Sequence, residues 1–173
     1  MVFGVDEQDD VEVALERWVR LARAVLDDAG PAGGVRPGAE MTLVFVDEAA
    51  MTDLNREHMG GDGPTDVLAF PIDDEGVEPG RWPDNGSSGP DRRPVELDEL
   101  PILIGDVVVC PTVAAGQAPE HGVSVDDELA LLVVHGVLHV LGMDHAEDDE
   151  RIAMQARERD LLARFHHDGS TER

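Results

Sequence analysis

The sequence predicts one α+β domain, because strand-like and helix-like segments are mixed along it without the regular alternation of a doubly wound sheet. Its 173 residues fit a single domain, and 42% hydrophobic residues can fill one core. Residues 1–165 are read as that domain and 166–173 as a disordered tail.

Each element follows from spacing and punctuation. Val13, Leu15, Trp18, Val19, Leu21, Val25 and Leu26 recur with helical period, so a first amphipathic helix is expected, capped by Asp9 or Asp10 and closing near Gly30. After the turn-rich GPAGGVRPG, the run MTLVFVD reads as a buried strand, and Asp47 then caps a short helix through about His58. Gly60, Gly61 and Gly63 break the chain before PTDVLAFP, a second strand between prolines. Asp73 to Glu99 is rich in Gly, Pro, Ser and acids and is expected to be a flexible internal loop. ILIGDVVVC is the third strand, and Pro111 suits the first turn of a helix that ends near Gly122. Ser124 with Asp127 resembles a capping box for VDDELALLVVHGVLHVL, which is apolar on nearly every face after Glu128 and must be buried. Gly142 ends it, and a last amphipathic helix runs from about Asp148 through Phe165. The sheet is expected to be small and mixed, with helices packed on it.

Charge and composition exclude several functions. The 38 acidic residues against 13 basic ones give a formal charge of -25, a field that repels polyanions and disfavours simple electrostatic nucleic-acid binding. All 13 basic residues are Arg, a bias of genome composition or salt adaptation rather than of chemistry. No run of about 18 apolar residues is present, and MVFGVDEQDD lacks a basic start, so neither a membrane span nor a secretory signal is expected. With Cys110 alone, no internal disulfide and no four-cysteine zinc knuckle can form. A reducing, cytoplasmic protein is the reading.

The chemistry stands in HGVLHVLGMDH. His135 and His139, four apart, stack on one helix face, and a left-handed Gly142 can turn the chain back so that His145 reaches the same ion. Three neutral imidazoles suit one zinc-like ion and leave a coordination position for water, whose pKa the ion lowers to about 7. As separately satisfied core residues, three polar rings on the most apolar helix would each need their own partner. The spacing is that of a metzincin protease, but the position of the general-base Glu is Gly136, which points to a close approach instead.

These residues, with GPTDVLAFP at 63 to 71 and IGDVVVCP at 104 to 111, resemble the bacterial YbeY endoribonucleases over roughly residues 40 to 165. The resemblance implies a zincin-like fold, one Zn2+ on His135, His139 and His145, and cleavage of single-stranded RNA. It also implies work on ribosomal RNA in maturation and quality control, with a ribosomal particle or protein as partner. Many members carry an Arg where this chain has Met59; Arg56, three residues earlier, is either its replacement as a phosphate-binding cation or an ordinary surface residue.

Other residues keep two readings. Thr65 and Asp66 serve the turn or line the cleft, and Asp106 orients a ligand histidine or bonds a neighbouring loop. Asp144 belongs to the reversal or assists water, His166 and His167 belong to a frayed tail, and Cys110 is a small core residue. Two other functions fit: a metallopeptidase or amidase, or a noncatalytic ribosome-assembly factor whose structural metal takes Asp144 or His58 as a fourth ligand. Oligomeric state is not legible.

Overall fold

Met41, Leu43 and Phe45 are fully buried and the residues between them are not, an alternation with period two that makes β2 (Ala39–Phe45) a central strand. The structure, a computed structural model, describes residues 1–30, 35, 38–72, 102–143 and 147–167. The expected flexible segment 73–99 lies outside the described residues.

Among the described residues, four strands form one mixed sheet in the order β1-β2-β4-β3. β1 (Val2–Asp6) and β4 (Ile102–Val109) run parallel to β2, while β3 (Val67–Pro71) is an edge strand antiparallel to β4. The expected α+β class and small mixed sheet are therefore present. β1 was not read from the sequence. Its Val2 is buried but Phe3 and Val5 are largely exposed, so it lacks a clean alternating pattern, and pairing with β2 supplies what propensity does not.

Helices cover both faces of the sheet. On one, Met41, Leu43, Phe45, Val107 and Val109 pack with α1 (Leu15–Ala29) and α4 (Val125–Val140) in the main core. On the other, Val108, Leu68 and Cys110 pack with Val46 and Met51, the latter from α2 (Glu48–His58). α3 (Pro111–His121) leads into α4, and α5 (Asp148–Leu162) runs into a π-helical turn, Ala163–His167. As expected, α4 is the buried helix: most of its residues from Glu128 to Val140 are inaccessible.

The helix ends show which punctuation was read correctly. Asp47 caps α2, its side chain accepting from the Ala50 amide at 2.7 Å, and Ser124 caps α4 by accepting from the Asp127 amide at 3.1 Å. Neither Asp9 nor Asp10 caps α1, which starts at Leu15 behind Ala14. The buried Gln8 organises that approach instead, accepting from the amides of Asp10 and Val11 at 3.0 and 2.9 Å. The tail boundary also shifts. His166 is buried and bonded to Asp127, so His166 and His167 belong to the folded chain.

Candidate active site

α4 can carry functional histidines at the bottom of a cleft because Gly136 lets it lie against the sheet. A Cβ built on Gly136 would stand 2.5 Å from Val107 Cγ1 in β4 and 3.3 Å from Val67 Cγ2 in β3. The close approach expected there is real, and it leaves no room for the side chain of a general base. At the end of α4, Gly142 adopts φ +83°, its amide donates to His139 O at 2.9 Å and that of Met143 to Leu138 O at 3.0 Å. This paired closure turns the backbone out of the helix. His145 and Asp144 lie outside the described residues.

The two described histidines of the motif come together. The Nε2 atoms of His135 and His139 are 3.1 Å apart, with ring planes 82° apart. Two bonds of about 2.0–2.1 Å to a tetrahedral zinc ion would separate the nitrogens by about 3.3 Å, so the pair fits a shared cation. Behind His135, Glu158 Oε1 lies 2.8 Å from Nδ1. A carboxylate at Nδ1 orients the ring so that Nε2 faces His139.

Glu158 was not picked out from the sequence. The available signal was its place on the buried stripe of α5, between Met154 and Leu161, where a carboxylate needs a partner. Asp106, offered for the same task, is on the wrong side. Val107 faces Gly136, so its neighbour Asp106 projects to the opposite face, paired across to Phe70.

Two adjoining hollows meet at His135, Asp66 and Val67. One, about 330 Å³, follows β3 past Met59, Ala69 and Pro71 to His139. The other, about 350 Å³, runs towards His121, Glu128, Arg151 and Glu158. Asp66 serves both of its expected roles, lining the cleft and accepting from the Val67 amide at 2.8 Å; Thr65 donates to it at 3.1 Å. His121 Nδ1 stands 2.9 Å from Glu128 Oε2, and this carboxylate pushes the imidazole pKa up. That pair also went unread, since neither residue belongs to the histidine motif.

The remaining candidates lie elsewhere. Arg56 is exposed and tied to Asp53 at 2.8 Å, and His58 packs edge-on against Phe70 with ring centroids 4.9 Å apart. Cys110 is fully buried in the smaller core, where burial pushes its thiol pKa up, as an inert core residue requires. Asp127, His166 and His167 bring three further donor atoms within 4.8 Å of one another, a group that can hold a metal ion at the start of α4.

The mixed sheet, the buried histidine helix and the cleft along an edge strand frame a pair of imidazoles spaced as two ligands of one metal ion would be. The profile described as "Endoribonuclease YbeY" matches residues 5–166. Curated relatives with that name include one from Mycobacterium sp. (strain KMS), 40% identical over all of this chain and 93% of its own length. Another, from Salinispora tropica, is 43% identical over 94% of this chain and 95% of its own. A solution structure of the Thermotoga maritima protein TM1509 shares the fold, with a TM-score of 0.57, 20% identity and coverage of 100% of this chain and 97% of its own. The chain belongs to the YbeY endoribonuclease family. Neither the peptidase nor the noncatalytic reading is supported by that membership. Among the described residues no helix is long and apolar enough to cross a membrane.

Proposed function

We propose that this protein is a zinc-dependent, single-strand-specific endoribonuclease that acts on ribosomal RNA in the cytoplasm, in ribosome maturation and quality control. The observation that carries the reading is the His135 and His139 pair, its Nε2 atoms 3.1 Å apart in a cleft of a chain from this family. His135, His139 and His145 are the residues that would hold the ion. Bound there, Zn2+ supplies a Lewis acid for the phosphodiester and a water of lowered pKa.

The chain's own residues do the rest. Glu158 holds the proton on His135 Nδ1 and fixes the ring. Val67, Ala69 and Pro71 of the edge strand wall the cleft, a shape suited to an extended single strand. The charge of -25 opposes capture of free RNA, which favours delivery of the substrate on a ribosomal particle or by a ribosomal protein.

The test is cleavage of single-stranded RNA, duplex RNA and a peptide by the zinc-loaded protein, with metal content measured in each preparation. The single strand alone is expected to be cut, and His139→Ala is expected to lose both the bound zinc and the cleavage. Peptide hydrolysis without RNA cleavage, or full activity in a zinc-free His139→Ala protein, would overturn the reading.

A further inference from the structure

The chemistry centred on His135 and His139 makes no use of His121 and Glu128, which meet in the same cleft. Glu128 is 2% exposed, on a helix whose other buried side chains are almost all apolar. Such a carboxylate needs a partner. His121, the last residue of α3, provides one at 2.9 Å, yet its own side chain remains 54% exposed. Glu128 precedes His135 by two helical turns on one face of α4, about 10 Å along the axis. His121 therefore lies with Glu128 along the hollow that His135 also lines, apart from the His135 and His139 pair.

We propose that His121, held by Glu128, is a phosphate-binding group for the RNA backbone beside the cleavage point, an inference that rests on the ribonuclease reading above. The Nδ1–H donates to Glu128, and Nε2–H is left for a phosphate oxygen. The charged groups around it favour the imidazolium: Glu128 on α4 first, then Glu120 on α3 and Asp66 ahead of β3. Arg151 of α5, the guanidinium lining the same hollow, opposes it but is tied to Asp148 at 2.7 Å. In a chain of charge -25, a cation made by a buried carboxylate attracts phosphate at one point of the cleft without making the surface basic. Because the His121 pKa is raised, the contact is complete at low pH and is lost as pH rises through that value.

The experiment measures binding of a labelled, single-stranded 2′-O-methyl oligoribonucleotide to the full-length protein across a salt series at pH 6 and pH 8. His121→Gln is expected to weaken binding roughly tenfold at pH 6 and to reduce the slope of log K against log salt by about 0.7, the share of one phosphate on a single strand. At pH 8 the difference from wild type should shrink. His121→Arg should keep the wild-type slope at pH 6 and hold it at pH 8, which a contact that merely pins α3 to α4 would not do. If wild type neither binds nor cleaves single-stranded RNA, the ribonuclease reading falls and this inference with it. If wild type cleaves RNA while folded His121→Gln keeps its affinity, salt slope and pH dependence, this inference alone is overturned. Loss of the slope in His121→Arg would also overturn it, independently of how stable His121→Gln proves.

Discussion

α4 has an imidazole cluster near each end, and the two differ in what stands behind the ring. Near its C-terminal end, His135 has the Glu158 carboxylate at Nδ1 and its Nε2 3.1 Å from that of His139, the pair proposed to share the ion. At its first turn, His166 meets the Arg17 guanidinium, Nη2 to Nδ1 at 3.4 Å. A guanidinium only donates, so Nδ1 faces a donor while Nε2 lies 2.9 Å from Asp127 Oδ1. That cluster therefore works first as a latch, fastening the π-helical turn to α1 and α4, with the Trp18 ring stacked on His166 at 6.3 Å. Similar ligand atoms give a site or a fastening according to whether the second neighbour is an anion or a cation.

Exchanging that second neighbour gives the largest expected effect. Glu158→Gln, which keeps the volume and loses the charge, should weaken zinc binding and RNA cleavage about 10–100-fold. Arg17→Ala should leave zinc affinity at the cleft unchanged; competition with a chromophoric chelator measures both. Next comes the seat of the cleft cluster. Gly136→Ala should destabilise the protein by about 1–3 kcal/mol in urea unfolding, because the new methyl meets Val107 at 2.5 Å.

The far end of α1 is instead sensitive to acid. Asp28, at the end of α1, accepts from Arg164 and Arg157, and the Arg164 guanidinium foremost holds its pKa below the usual carboxylate range. A depressed pKa stabilises the fold fully above the unfolded value of about 3.9 and loses that contribution as pH falls through the folded value. Asp28→Ala should cost about 1–2 kcal/mol at pH 7, the lower part of the range for charged hydrogen bonds because both guanidinium groups are partly exposed. The difference from wild type should vanish on acidification, followed by unfolding across a pH series. The smallest effect is expected at Arg56. Tied to Asp53 and exposed, it should change the half-saturating RNA concentration less than twofold when replaced by Ala in single-turnover assays. A tenfold change there would move the phosphate contact from the His121 end of the cleft to α2.

Much of this was legible because it depends on neighbours in sequence. Asp47 and Ser124 cap helices through amides three residues on, and Gly142 reverses the chain at the end of its own helix. His135 and His139 share a face because four residues make about one turn. One failure involves partners far apart in the chain: β1 is a strand because β2 pairs with it. Another is local: Gln8 replaces the expected aspartate caps by wrapping a turn around its amide.

The class of fold, the histidine pair on a buried helix and the absence of a base at position 136 could be read from residue order, since periodicity, capping and residue identity are local properties. That Glu158 and not Asp106 supports His135, that Gly136 seats α4 on Val107 and that His121 shares the cleft came from packing. Those choices depend on which side chains from α3, α4, α5 and the sheet converge in space. Many acids in an acidic chain present the same local pattern, and packing alone picks the one that lands 2.8 Å from an imidazole.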